Sequence, residues 1–247
     1  DSRRFITFLL HTLPDLDDIQ EITLNAMERR MLQMFHFTIW QKPVEELGFA
    51  NMVDGLRQLK RNPNLYRELQ DILKFALDRI DFIDHNNDLS FDCPLDLYCT
   101  YSRDQIMVAM DFLKPSTVRE GVKHLPDKKV DVLLITLNKS DKDYSPTTMY
   151  NDYSINEWLF HWQSQSTTSD DSPTGQRYVN HQKLGYQILL FVREGKKDEF
   201  GNTEGYTFLG TADYQRHEGS RPMSIMWKLH QPIPARFLKK SNQMMAD

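Results

Sequence analysis

The chain has 247 residues, 40% of them hydrophobic and 26% charged, which excludes a disordered tract and leaves room for one large domain or, more naturally, two. A net charge of −5 argues against a generic polyanion binder, although residues 174–247 carry 11 Lys and Arg against 7 Asp and Glu, where residues 1–100 carry 11 against 17. No apolar run approaches the roughly 18–20 residues of a membrane span and no secretory leader opens the chain, so a cytoplasmic protein without a membrane partner is expected.

The opening Asp1-Ser2-Arg3-Arg4-Phe5 shows no cap or strand boundary and reads as a cut from a longer polypeptide. To about residue 84 the pattern is helical. Leu24, Met27, Met31, Met34 and Thr38 recur at steps of three and four, one stripe of a helix. After Pro43 and Asn62-Pro63 a second stripe runs Leu65, Leu69, Ile72, Ala76, Ile80 and Ile83. Such stripes usually mark packing between helices, with a groove for a partner helix as the alternative. The polar, acidic residues 84–98, with Pro94 among them, place a domain boundary, giving a helical connector over 1–95 and a second domain over 96–247.

Ser102-Arg103-Asp104-Gln105 has the capping-box pattern, and Ile106, Met110 and Leu113 give the helix behind it one apolar face. The period then changes. Val130 to Leu137 is a β-branched run with the character of a buried strand. Leu159 to Gln165 alternates, Phe160, Trp162 and Ser164 on one side and His161, Gln163 and Gln165 on the other. Tyr186–Arg193, Tyr206–Tyr214 and Met223–Leu229 supply further strands, with one short helix near Thr174-Gly175 and another after Pro234. The fold class expected is α+β: a helical bundle followed by a small curved sheet or β-barrel.

No phosphate-binding loop, His-Glu-x-x-His helix or Gly-x-Ser-x-Gly elbow is present. Cys93, Cys99 and His85 have poor spacing for zinc, and the two cysteines alone make no disulfide framework. No metal or other cofactor is therefore expected. A metal-dependent nuclease built on Asp127, Glu194 and Lys196 is one alternative, since such sites join carboxylates to a lysine beside the attacking water.

Residues 138–178 stand apart. Tyr144, Tyr150, Tyr153, Trp158, Phe160 and Trp162 interleave with hydroxyls, amides and carboxylates, a mixture suited to reading bases. An aromatic face stacks on a base, and a carboxylate beside it accepts from the cytosine amine. The expected base-binding aromatics are Tyr144, Tyr150 and Tyr153, with Tyr150 and Tyr153 as the stacking groups; Asp143 or Asp152 would take the amine, and Trp158 or Trp162 would wall the pocket. Trp162 and Phe160 lie on one face of the alternating strand, where a core position is the competing reading. Lys139, Lys142, Thr167, Thr168 and Arg177 are candidates for the phosphates, Arg177 at an expected helix start.

The runs Tyr101-Ser102-Arg103-Asp104, Arg119-Glu120-Gly121-Val122, Thr136-Leu137-Asn138-Lys139-Ser140, Asp143 to Tyr150 and Phe160 to Gln165 resemble a domain of unknown function. That domain follows a phospholipase-D-like nuclease and a DEAD/DEAH-type helicase in bacterial proteins. Gly175-Gln176-Arg177-Tyr178, Leu190-Phe191-Val192-Arg193 and Ser220 to Ile225 continue the likeness, which covers about residues 97–240. The resemblance implies the target reader of a type IV, modification-dependent restriction enzyme, SRA-like or PUA-like in fold, which flips 5-methylcytosine or 5-hydroxymethylcytosine from duplex DNA. It also implies that nuclease and helicase lie elsewhere in the parent protein, so this chain alone is not expected to be an enzyme. An assembly module, docking to a helicase or to a second copy in a homodimer, is the third reading.

Overall fold

The structure is a computed structural model that describes residues 1–119, 121–138 and 152–238. The chain separates into two compact units, Asp1–Arg119 and Glu120–Asp247.

The first unit is helical: α1 (Arg3–Thr12), α2 (Ala26–Trp40), α3 (Val44–Leu47), α4 (Met52–Arg57), α5 (Pro63–Asp78) and α6 (Arg103–Ala109), with a two-residue strand β1 (Thr100–Tyr101). Short polar side chains start these helices by accepting orphan backbone N–H groups. Ser2 accepts from Phe5 N, so the opening residues do carry a cap, one that their lack of helix-flanking pattern concealed. Asn25 with Glu28 and Ser102 with Gln105 form reciprocal capping boxes, the second as its sequence predicts. Met31 and Met34 are buried on α2, as the first stripe requires.

The second stripe is corrected. On α5 the buried line passes through Leu73, with Ile80 buried just beyond the helix, while Leu65 and Ile72 are exposed, as is Ile83 further on. The helix is more apolar than its one covered side needs. Residues 96–119, on the far side of the boundary expected from the sequence, lie in the same compact unit as these helices. Arg30 of α2, for example, holds both oxygens of Asp111 at 2.9 and 2.8 Å.

The second unit is built on an open sheet. Its strands are β2 (Val122–Leu125), β3 (Val130–Thr136), β4 (Tyr153–Ser154), β5 (Leu159–Gln163), β6 (Gln187–Arg193), β7 (Tyr206–Glu218) and β8 (Ser224–Leu229). Their spatial order is β2-β3-β6-β7-β8-β5-β4. The sheet is thus the open form of the two that the strand pattern allows, and the chain is α+β. Neighbours are antiparallel except β3 and β6, which run parallel from Val130↔Gln187 to Thr136↔Arg193. Parallel strands need a long crossover, and the helices α7 (Pro173–Val179) and α8 (His181–Leu184) lie in the connection between them. Every residue of β3 is buried, in keeping with a strand covered on both faces. On β5 burial alternates as expected, Phe160 and Trp162 inside and Leu159, His161 and Gln163 half-exposed.

Among the described residues no helix is long and apolar enough to cross a membrane.

Candidate nucleic-acid interface

The aromatic segment divides between the two faces of the sheet. Trp162 is a core residue. It meets Tyr178 of α7 edge-on at 5.5 Å and Trp227 of β8 at 6.3 Å, and Trp227 also meets His181 at 5.9 Å. The pocket-wall assignment of Trp162 is thereby replaced by packing: large rings on the inner side of β5 and β8 fill the space under α7. His181 fixes that corner, its Nδ1–H donating to Tyr186 O at 3.0 Å while its Nε2 accepts from Tyr214 N at 3.0 Å.

The outer face carries a different set. Tyr153 of β4 pairs with His161 of β5, and their rings stack at 4.7 Å with 18° between planes. Register continues this row through Met226 of β8 to Arg216 of β7. Parallel rows run Leu159, Lys228, Asp213 and Gln163, Ser224, Glu218. Directly opposed residues of a sheet share a face, so a flat aromatic pair lies beside an amide, a thioether, two cations and two carboxylates, with Arg216 Nη1 3.4 Å from Glu218 Oε1. The short β4–β5 turn presents Trp158 at its tip. Asn156 Oδ1 accepts from Trp158 N and Leu159 N at 2.8 and 2.9 Å, and Trp158 Nε1 donates to Glu157 Oε1.

Of the expected site residues, Tyr144, Tyr150, Asp143, Lys139 and Lys142 lie outside the described residues. Tyr153 and Trp158 stand on the strand and turn just described. Asp152 is buried, and its Oδ1 accepts from Gln163 N at 2.9 Å, so this oxygen fastens β4 to β5 instead of facing a base. In the hydroxyl-rich loop Thr167 is exposed, whereas Thr168 is buried, its Oγ1 donating to Gln165 Oε1 and its carbonyl accepting from Arg221 N. Ser164 Oγ accepts from Met223 N at 2.9 Å. The loop is therefore tied to the Ser220–Met223 turn by its own backbone needs, which removes Thr168 from the phosphate set.

Arg177 departs furthest from expectation. Ser172 caps α7 by accepting from Gly175 N and Pro173 opens it, so Arg177 falls in the last turn of the helix, not the first. Its Nε and Nη2 donate to the two oxygens of Asp131 at 2.7 and 2.9 Å, and the Asp131 carboxylate is fully buried. A carboxylate inside the strand β3 needs such a fork, and it claims the guanidinium that the phosphate reading assigned to DNA. Sequence reading overlooked Arg216 and Lys228, which acquire meaning only through strand register, and Arg221, exposed on the turn that holds the hydroxyl loop.

The nuclease alternative is excluded by topology. Asp127 precedes β3 and Glu194 follows β6, and the two strands are parallel and in register over seven pairs. The two acids thus sit at opposite ends of a strand pair about 20 Å long, too far apart to share an ion. Glu194 and Gly195 instead donate their N–H groups to Glu204 at 3.2 and 2.8 Å, closing a hairpin loop.

In the first unit, Asp84, Asp96 and Cys99 bring potential ligand atoms together. Their carboxylates already accept from Arg3 N, Arg4 N and Ser2 Oγ, with Arg4 Nη2 2.6 Å from Asp96. Burial pushes the Cys99 thiol up to about 12, helped by the Asp84 charge. Burial likewise raises Cys93 to about 12.

Residues 95–240 match the family described as Domain of unknown function (DUF3427). The chain belongs to this family. No curated protein matches it in sequence. Among solved structures, two crystal forms of Arabidopsis thaliana SUVH6 in complex with SAM are similar, at 10% and 11% identity and TM-scores of 0.40 and 0.38. These alignments cover 99% and 100% of this chain but only 42% and 43% of the SUVH6 chains, so this chain spans about two fifths of their length.

Proposed function

We propose that this chain is a DNA-binding module that reads modified cytosine, 5-methylcytosine or its hydroxymethyl form, for a restriction enzyme. The helicase and nuclease of that enzyme would lie elsewhere in the parent protein, as the resemblance in the sequence implies. The observation that carries the reading is the Tyr153–His161 stack on the polar outer face of the sheet. A pair of nearly parallel, half-exposed rings is a platform of the kind on which a base stacks. Met226 beside it suits a methyl group, Gln163 suits a base edge, and Lys228 suits a flanking phosphate, as does Arg216 once it exchanges its exposed partner Glu218 for one. A base reaches such a platform only out of its duplex, so unstacking, which costs a few kcal/mol, would be offset by the new stack and edge contacts.

The test is binding of a 5-methylcytosine duplex to Tyr153→Ala and His161→Ala at constant salt. A stacking contact contributes about 1–3 kcal/mol, so each variant should bind at least about fivefold more weakly. Unchanged affinity in both would remove the outer face from DNA recognition.

A further inference from the structure

We propose that α5 is a self-association helix, pairing antiparallel with α5 of a second copy of this chain. Leu65, Ile72 and Phe75 lie along one side of α5 and are 51%, 60% and 60% exposed, while a different side, through Leu73, is buried in the unit's own core. Aligned apolar side chains of this size on a surface mark an interaction site.

The spacing says what kind. Positions 65, 68, 72, 75 and 79 alternate steps of three and four, the seam spacing of packed helix pairs. Two polar residues interrupt the apolar line, Glu68 and Arg79, and they are opposite in sign. The Glu68 side chain has no hydrogen bond or ion pair among the described residues, and the Arg79 guanidinium lies over the Phe75 ring of its own chain at 5.2 Å with no carboxylate partner there.

Place a two-fold axis between Leu73 and Lys74. Positions equally far on either side of it then face each other across an antiparallel pair. Ile72 meets Phe75 of the second copy, and Glu68 meets Arg79 of the second copy. Symmetry repeats both contacts, so the apolar pairs form the centre and the ion pairs flank them. A two-fold interface requires the same patch to complement itself, and this stripe does so in both shape class and charge. A helix from an unrelated partner would have no reason to find the charges arranged about that axis.

One helix face is smaller than the roughly 800 Å² per partner of a stable complex. Association is therefore expected to be weak, on the order of 10–100 µM.

The experiment is sedimentation velocity on the 247-residue chain from about 1 to 300 µM, with Glu68→Arg, Arg79→Glu and the double variant. Both positions are exposed, and circular dichroism would check that each variant keeps its fold. The parent should dimerise across the range. Each single substitution sets like charges face to face twice per dimer and should weaken association at least tenfold. The double variant exchanges the charges and should return to within about threefold of the parent. A parent that stays monomeric overturns the proposal, as does a dimer indifferent to both single substitutions or a double variant that fails to recover.

Discussion

Replacing Arg177 by alanine separates its structural role from the phosphate contact that the sequence suggests. The Asp131 carboxylate is fully buried between His124 of β2 and Ile188 of β6, and both its oxygens accept from Arg177. Truncation leaves that carboxylate inside the sheet with its strongest partner gone, and breaking a buried pair in this way costs about 3–5 kcal/mol. The Arg177 side chain retains 15% exposure, so water can enter where it leaves, and the lower end, about 3 kcal/mol, is expected. For a unit of this size each kcal/mol lowers the melting midpoint by about 4 °C, so a fall of about 12 °C should appear by calorimetry or circular dichroism. Asp131→Asn in the Arg177→Ala background removes the stranded charge and should recover part of the loss. An Arg177→Ala protein that melts within about 2 °C of its parent, but binds DNA with a salt dependence reduced by about one phosphate contact, would refute this reasoning and return Arg177 to the DNA.

Gly175 admits no side chain: a Cβ there would stand 2.0 Å from Ser169 O and 3.0 Å from Met223 Sδ. Gly175→Ala should lower the stability of the sheet unit by about 3 kcal/mol, read from denaturant midpoints, and parent-like stability would mean that the loop is not held as described. His36 is buried, donates Nε2–H to Lys42 O at 2.9 Å and has no partner for Nδ1 among the described residues. Burial holds its pKa below the usual 6.5 despite the Lys42 carbonyl, so the unfolded chain binds a proton more readily than the folded one. Its contribution to stability is complete above about pH 6.5 and is lost as pH falls below that value. Thermal midpoints of the helical unit should decline from pH 7 to pH 5, and His36→Gln should flatten the decline; an equal decline in both proteins would absolve His36.

Local chemistry was readable from the sequence wherever it is written locally. The Ser102–Gln105 capping box, the buried run of β3 and the alternation of Phe160 and Trp162 against His161 and Gln163 each depend on residues within a few positions of one another. Long-range pairing is not written that way. Nothing near Arg177 announces Asp131, 46 positions away, and nothing in β3 or β6 announces that they run parallel. The face of α5 shows a second limit, because apolar periodicity fixes that a stripe exists but not whether the protein itself covers it. The outer face of the sheet was half legible. The aromatic density drew attention to Tyr153, but Lys228 and Arg216 join it only through the β5-β8-β7 register. His161, which in sequence is an ordinary strand histidine, becomes a candidate only through the Tyr153 ring stacked on it.

The central claim is tested most directly by the affinity of this chain for a single duplex, unmodified or carrying 5-methylcytosine, measured by fluorescence anisotropy at one salt concentration. The account predicts binding at least about tenfold tighter to the modified duplex, a difference of roughly 1.4 kcal/mol. Equal affinity for the two duplexes, or none for either, would contradict it.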